Sequence, residues 1–205
     1  IAGMRIGSLS DQERMGIEAA QLDAYDRALD QLADLGAEII QFQPAKHFEE
    51  MKEAAAVILT AEGYFHHGAL MDDPDSLVDE NVRPRFKAGA DISSAQYVGA
   101  LLQRDSDRES FSLAMQGIDA LVTPTTPMLP TPLTETDELS TPARFTRAIN
   151  YLSMCGTSVP SGISNGGLPT SLQIACAGGN EAICLQISAA YERARSALPA
   201  PPLFA

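Results

Sequence analysis

The spacing of apolar residues along the first part of the chain predicts a strand, a helix and a second strand. Met4–Leu9 alternates apolar and polar positions, which is typical of a short strand. Between Glu18 and Leu35 apolar residues recur at intervals of three and four, so this segment is predicted to be an amphipathic helix. Gly36 stands where a left-handed helix cap is expected, and Ala37–Phe42 follows as a strand. Elements of these lengths predict a crossover unit with parallel strands.

The middle of the chain has helical periodicity with one clear interruption. Residues 47–69 are rich in Ala, Met and Leu and are predicted to be helical, and the acidic loop Asp72–Asp75 breaks the pattern. A second long helix is predicted to be capped by Ser93 or Ser94 and to stop at Gly117.

The last part of the chain reads as strands, turns and two further helices. Asp119–Val122 is predicted to be a buried strand that ends at the run Thr123–Pro127, because proline fixes φ and removes a ladder donor. An irregular surface loop is expected from there to Pro142. The remaining predictions are a helix over Ala143–Met154, strands over Ser158–Ile163 and Thr170–Ala175 joined by Asn165-Gly166-Gly167, and a helix over Glu181–Ala197 capped by Asn180.

Composition and charge restrict the class of molecule. The 205 residues suit one ordinary domain, and the apolar content of 45% is enough for a packed core. The formal net charge is −13, and Lys46, Lys52 and Lys87 are scattered, so no nucleic-acid partner is expected. No apolar run approaches the roughly 20 residues needed to cross a bilayer, so no membrane partner is expected either.

The cysteine pattern favours a reducing compartment. Cys155, Cys176 and Cys184 are odd in number and lack metal-type spacing, which fits a cytoplasmic protein. No signal peptide is visible, and the chain opens at Ile1 rather than Met.

Three runs in the second half of the chain carry a family resemblance. They are DALVTPTTP at Asp119–Pro127, FTRAIN at Phe145–Asn150 and VPSGISNGGLPTSLQI at Val159–Ile174. In this order they resemble the C-terminal segment of the amidase signature family, where an F-T-x-x-x-N start leads to a V-P-x-G strand and a G-L-P-x-x-L-Q-I strand. Less specific matches extend the resemblance over nearly the whole chain. They include Tyr97 and Arg104, which lie in a segment similar to the start of a helix in the family.

The resemblance implies an α/β fold with a mixed sheet covered by helices on both faces. Residues 1–205 would form the C-terminal half of a single amidase domain. The implied activity is hydrolysis of a carboxylic amide by a Ser–Ser–Lys triad that precedes this segment in the family. The Gly/Ser-rich segment that supplies the serines is absent here, so no catalytic residue is assigned and the chain alone is expected to be inactive. No cofactor and no metal are implied.

The chain departs from the family pattern at three small residues. Ser153 and Cys155 stand where relatives usually have Gly and Pro, and Ser171 replaces Gly in the last strand. Small residues there let backbones pack closely, so these departures bear on the detail of the pocket rather than on the fold.

The proline-rich turn has two interpretations. In the first, Pro124 only ends a strand. In the second, the turn lies beyond the carboxyl end of a strand, where open α/β sheets form ligand crevices. The resemblance implies that it approaches the acyl part of the substrate. Thr125, Thr126 and Pro127 are therefore the candidate substrate-binding residues, and a bulky residue at either threonine is expected to change substrate preference.

Other reactive side chains are interpreted as structural. Cys155 has no nearby histidine in sequence to serve as a base, so it is taken as an inert thiol. His66 and His67 would face about 100° apart on a helix and could not comfortably share one ion. Asp72–Asp75 lacks the alternating ligands of a calcium loop.

Two alternatives to a hydrolase remain open. One is a glutamine amidotransferase subunit that passes ammonia to a second active site, and the other is a non-catalytic binding or scaffold module that has lost the triad. The expected partners are an N-terminal amidase half, on the same polypeptide or a separate chain, and a small amide substrate. A homo-oligomer is also left open.

Overall fold

The computed structural model describes residues 1–137 and 141–199, which divide into two compact units. The first unit takes its described residues from Ile1–Gln43, Met115–Thr131 and Met154–Ala205, and the second from Pro44–Ala114 and Pro132–Ser153. Over the described residues the strands are β1 (Arg5–Leu9), β2 (Glu38–Phe42), β3 (Ala120–Pro124), β4 (Cys155–Ile163) and β5 (Pro169–Cys176). The α-helices of the same residues are α1 (Asp11–Arg14), α2 (Ala19–Asp34), α3 (Phe48–Asp72), α4 (Val82–Lys87), α5 (Ser94–Ala114), α6 (Arg144–Tyr151) and α7 (Glu181–Ala194).

The first unit is built on a mixed sheet with the strand order β2-β1-β3-β5-β4. β1 is parallel to β2 and β3, whereas β5 is antiparallel to β3 and β4. Helices α2 and α7 contact each other and pack against the strands. The predicted α/β class with a mixed sheet and helices is therefore confirmed.

The β1-α2-β2 crossover forms as the apolar spacing predicts. The buried face of α2 carries Ala24, Tyr25, Ala28 and Leu32, at the intervals of three and four that define an amphipathic helix. Gly36 ends this segment with a φ of +89°, and a Cβ there would lie 3.0 Å from the backbone of Ala2. Glycine is thus favoured here mainly by its conformation, and also by its close contact with Ala2.

β3 extends further than the sequence prediction allowed. The prediction that this strand ends before Thr123 is wrong, because β3 runs through Pro124 and pairs there with β5. Thr125 donates its N–H to the carbonyl of Ser171 at 3.1 Å, so the alternation of an antiparallel ladder points the Pro124 nitrogen away from β5. β1 pairs with β3 only as far as Leu121, so the missing N–H of the proline removes no ladder bond.

The β4–β5 hairpin confirms the strongest local signal of the sequence. Ser164 donates its N–H to Leu168 at 2.8 Å, and Gly167 between them has a φ of +80°. β4 begins before the predicted Ser158, and β5 extends beyond the predicted Thr170–Ala175 at both ends. The register of the pair shifts between Pro160 and Gly162. A bulge at that point fits a strand that contains proline and glycine.

The second unit is helical and packs around aromatic residues. The ring of Phe48 meets those of Phe111 and Phe145 edge to face, at centroid distances of 6.4 and 5.6 Å. A short 3-10 turn at Ala88–Asp91 packs on α3, where a Cβ on Gly89 would lie 2.2 Å from the Thr60 carbonyl. Only glycine fits at this contact.

Several helix ends differ from the sequence predictions. Ser93 caps α5 as predicted, since its hydroxyl accepts from the Gln96 N–H and the Gln96 side chain accepts from Ser93. Asn180 occupies the N-cap position of α7 as predicted, but its side chain makes no capping hydrogen bond. α6 and α7 are both shorter than predicted, and the end of the Pro-rich tail lies outside the described residues.

Candidate functional site

Tyr25 bridges β1 and β3 where the two strands stop pairing. Its hydroxyl accepts the Leu9 N–H at 2.8 Å and donates to the Val122 carbonyl at 3.0 Å. Burial raises the pKa of the Tyr25 hydroxyl, so the phenol keeps the proton it donates. The carboxyl ends of the two parallel strands lie side by side at this bridge, the position at which open α/β sheets form ligand crevices.

The candidate turn Thr125–Pro127 follows β3 at this position, and its three residues are half-buried. The Thr125 hydroxyl lies 2.7 Å from the hydroxyl of Ser158 on β4, and the Thr126 hydroxyl donates to the Met128 carbonyl at 2.9 Å. Both hydroxyls are engaged within the chain. A ligand here would therefore meet a shaped, half-buried surface rather than free hydroxyl groups.

The start of α2 fixes the same turn from the other side. Glu18 donates its N–H to the Pro127 carbonyl at 2.8 Å, and its carboxylate accepts the Leu129 N–H at 2.6 Å. The buried Gln21 side chain donates to the Met128 carbonyl at 3.1 Å. The turn is thus held by α2 as well as by the hairpin, a degree of support that the sequence did not predict.

A cavity of about 430 Å³ in the second unit combines apolar and charged side chains. Its lining includes Ala55, Ile58, Glu62, Arg104, Ala143 and Arg147. The Nε of Arg104 is buried and has no hydrogen-bond partner among the described residues. A guanidinium with an unused buried donor is suited to a carboxylate or another planar anion.

Sequence reasoning had identified the segments that carry these arginines but had given neither a role. Arg104 falls in the helix entry that resembles the family, and Arg147 falls in the FTRAIN run. Because the two residues come from helices distant in sequence, only the assembled unit shows that they face one cavity.

Asp107 holds Tyr151, one of the residues that line this cavity, in place. Its carboxylate accepts from Lys46 and Tyr151, each at 2.7 Å, and from Gln103 at 2.9 Å. Burial opposes ionisation of Asp107, but the bonds from Lys46 and Tyr151 outweigh it and lower the pKa of the carboxyl. Burial and the contact with Asp107 raise the pKa of Tyr151. Tyr151 thereby ties α6, which carries Arg147, to α5.

A second and larger cavity of the same unit, of about 780 Å³, is lined mainly by aromatic and apolar side chains. Its lining includes Tyr64 and Phe65 of α3 together with Ile92 and Tyr97, and Phe65 is 82% exposed. Glu62 borders both cavities and accepts the Tyr97 hydroxyl at 2.8 Å.

None of the described lysines or thiols has the environment of an activated nucleophile or base. Burial raises the pKa of the Cys155 thiol, the opposite of what a nucleophilic cysteine needs. Each lysine is paired with a carboxylate; the pairs are Lys46–Asp107, Lys52–Glu49 and Lys87–Asp72.

The remaining candidate metal ligands are dispersed on the surface. His66, His67 and the Asp72–Asp75 turn are exposed. Within residues 1–137 and 141–199, no group of three or more His, Cys, Asp or Glu side chains could hold a metal ion. No helix in these ranges is long and apolar enough to cross a membrane.

Known proteins resemble this chain over almost its whole length. The A subunit of glutamyl-tRNA(Gln) amidotransferase from Mycobacteroides abscessus is 29% identical, and the aligned region covers 98% of this chain and 47% of that protein. The same subunit from Mycobacterium ulcerans is 30% identical, with coverages of 97% and 46%. The chain thus spans about half the length of the curated relatives it matches.

Solved structures show the same fold. An amidase crystal structure superposes with a TM-score of 0.81 at 22% identity, covering 94% of this chain and 46% of that one. A bacterial aryl acylamidase of the amidase signature enzymes has a TM-score of 0.74 at 21% identity, covering 95% and 44%. The family model described as Amidase matches residues 2–185. Because this match takes in most of the sequence, including the three runs that carried the resemblance, the chain belongs to the amidase signature family.

Proposed function

We propose that the chain is part of an amidase that hydrolyses a carboxylic amide to a carboxylate and ammonia or an amine. The observation that carries this proposal is the family match over residues 2–185. In this proposal a Ser–Ser–Lys triad lies on an N-terminal amidase portion, on the same polypeptide or a separate chain. The present chain supplies the fold and part of the pocket wall.

In the proposed reaction a serine hydroxyl attacks the amide carbonyl and passes its proton through a second serine to a neutral lysine. Backbone N–H groups stabilise the tetrahedral oxyanion, a contribution of roughly 10²–10³ in rate per donor. The amine leaves with a proton from the same relay, and water then hydrolyses the acyl-serine. In this reaction the chain described here binds and orients the substrate.

Two surfaces of the chain are assigned to substrate binding in this proposal. The turn Thr125–Pro127 forms part of the acyl pocket, supported by its place beyond the carboxyl end of β3 and by its rigid attachment. The cavity with Arg104 and Arg147 receives an anionic group of the substrate, supported by the unpartnered buried Nε of Arg104.

The test combines the chain with an N-terminal amidase portion. We expect no turnover of an aryl amide by the chain alone and turnover by the combination. In the combined enzyme, Arg104→Met should raise KM for a carboxylate-bearing amide about 10- to 100-fold, because a charge-assisted hydrogen bond contributes about 1.5–3 kcal/mol. KM for a neutral amide should change less than about twofold.

Arg108→Met is the matched control for this experiment. Arg108 lies one turn further along α5, is half-exposed at its side chain, and pairs with Asp105 at 3.5 Å. Turnover by the chain alone would contradict the proposed location of the triad. Equal effects of the two arginine variants would contradict the anion site while leaving the amidase proposal intact.

The relatives favour a second candidate, a glutamine amidotransferase subunit. Both curated relatives described above are amidotransferase A subunits. Such a protein would release ammonia from glutamine for a second active site on a partner. Ammonia release from glutamine that depends on a partner protein and its acceptor would support this candidate, whereas partner-independent turnover of simple amides would support the hydrolase.

A further inference from the structure

Three cysteine side chains from three elements of the first unit converge at one end of the β4–β5 hairpin. Cys155 is the first residue of β4, Cys176 is the last residue of β5, and Cys184 lies in the first turn of α7. The Cys184 thiol donates to the Ile174 carbonyl at 3.1 Å. Burial raises the pKa of the Cys176 thiol, and the nearby Cys184 thiol raises it further.

Cys155 and Cys176 have the backbone relation that a disulfide needs. They lie directly opposite each other in the antiparallel β4–β5 pair. Opposite residues of such a pair have Cα atoms about 4.5–5.5 Å apart, within the range of about 4.4–6.8 Å seen across disulfides. The Cys155 thiol lies beside the backbone of β5, 3.6 Å from the Cys176 carbonyl oxygen and 3.5 Å from that of Ala177.

The three thiols differ in their access to solvent. Cys155 is half-buried, whereas Cys176 and Cys184 are buried. A small oxidant therefore reaches Cys155 first. Burial raises the pKa of both Cys155 and Cys176, which keeps the pair in the less reactive thiol form at rest.

We propose that Cys155 and Cys176 are a dithiol that an excess of hydrogen peroxide closes to a cross-strand disulfide. Hydrogen peroxide oxidises the Cys155 thiol to a sulfenic acid and releases one water. The Cys176 thiol then attacks that sulfur, the S–S bond forms, and a second water leaves. The two thiols together lose two electrons and two protons, and one peroxide becomes two waters.

The disulfide acts on the strand that supports the candidate turn. Among the described strands β4 lies at one edge of the sheet, and its Ser158 is the hydrogen-bond partner of Thr125. A covalent link at Cys155 fixes the start of this strand to β5, three residues from Ser158. The inference does not depend on the proposed amidase reaction, since it concerns only the chemistry of this hairpin.

The experiment maps disulfides in the intact protein after treatment with excess hydrogen peroxide. Remaining thiols are alkylated with N-ethylmaleimide under denaturing conditions, and peptides from a non-reducing digest are identified by mass spectrometry. We expect a Cys155–Cys176 cross-linked peptide, an intact mass lower by about 2 Da before alkylation, and reversal by dithiothreitol. Cys184→Ser is the matched control and should keep the cross-link, whereas Cys155→Ser should leave Cys176 open to alkylation.

Other patterns would overturn the proposal. These are three alkylated cysteines after peroxide treatment, conversion of Cys155 to sulfinic acid without a cross-link, or a Cys176–Cys184 link that persists in Cys155→Ser. The digest of the wild-type protein alone distinguishes the Cys155–Cys176 cross-link from the first two of these outcomes. The proposal can therefore be tested even if a cysteine variant fails to fold.

Discussion

At the scale of single residues, Ser153 stands out among the described non-glycine residues because its backbone is left-handed, with a φ of +55°. It is exposed just beyond α6, and its N–H donates to the Asn150 carbonyl at 2.9 Å. A Cβ in this conformation costs about 1–2 kcal/mol, and the greater freedom of glycine in the unfolded chain offsets about 0.4–1 kcal/mol of that. We expect Ser153→Gly to raise the free energy of unfolding by about 0.5–1 kcal/mol, measured by denaturant titration.

A serine with ordinary helical geometry provides the control. Ser106 is exposed on α5, and Ser106→Gly should lower the free energy of unfolding by about 0.5–1 kcal/mol. Two substitutions of the same kind should thus act in opposite directions. Equal effects would show that backbone conformation is not the cause. The sequence marked Ser153 as a departure from the family's glycine, but the energetic meaning of that departure depends on φ.

At the scale of elements, the hydroxyl of Tyr25 replaces a ladder bond between β1 and β3. Tyr25→Phe leaves the buried N–H of Leu9 and the buried carbonyl of Val122 without their partner. We expect a loss of about 2–4 kcal/mol in the free energy of unfolding. Tyr191→Phe is the control, because Tyr191 is also buried but its hydroxyl makes no hydrogen bond to another described residue. A similar loss in both variants would contradict the bridging role.

Asp107 of α5 links two helices of the second unit, because it accepts a hydrogen bond from Tyr151 of α6. Its pKa in the folded state is lowered, so its ionised form stabilises the fold above the ordinary value of 3.8 and this contribution is lost as the pH falls through the folded value. Asp107→Asn should cost about 1–2 kcal/mol at neutral pH, and its difference from wild type should shrink below about pH 4. Thermal unfolding at several pH values measures this, with the more exposed Asp105→Asn as control. A difference that stays constant with pH would contradict the assignment.

The sequence predicted elements whose signals are local. The hairpin turn at Asn165-Gly166-Gly167 and the cap at Ser93 depend on neighbouring residues, and both were predicted correctly. Whether β3 could include Pro124 depended on which of the neighbouring strands, β1 or β5, pairs with β3 at this residue. The residues around Pro124 in sequence do not contain that information. The arginine cavity likewise forms only when separate helices assemble. The turn Thr125–Pro127 could be nominated from sequence, but its hydrogen-bond partners could not.

At the scale of the whole molecule, several surfaces have no partner within the described residues. β2 and β4 are the sheet edges, and no described strand pairs with their outer sides. Apolar side chains such as Phe65, Leu70 and Leu102 are more than half exposed. We expect the chain without an N-terminal amidase portion to self-associate or to unfold without cooperativity. Sedimentation velocity and thermal unfolding measure this, and a monomer that unfolds cooperatively would contradict it.

The Tyr25 bridge also has a consequence for the timing of folding during synthesis. Ile6 of β1 pairs with Ala120 of β3, so the centre of the sheet joins segments made far apart in time. At about 5–20 residues per second, a ribosome needs roughly 10 s to travel between them. Once Phe42 has been added, the nascent β1-α2-β2 crossover is complete, and until Val122 is synthesised it carries a tyrosine hydroxyl without its acceptor. The moment at which β1 and β3 can join is therefore determined by the translation of β3.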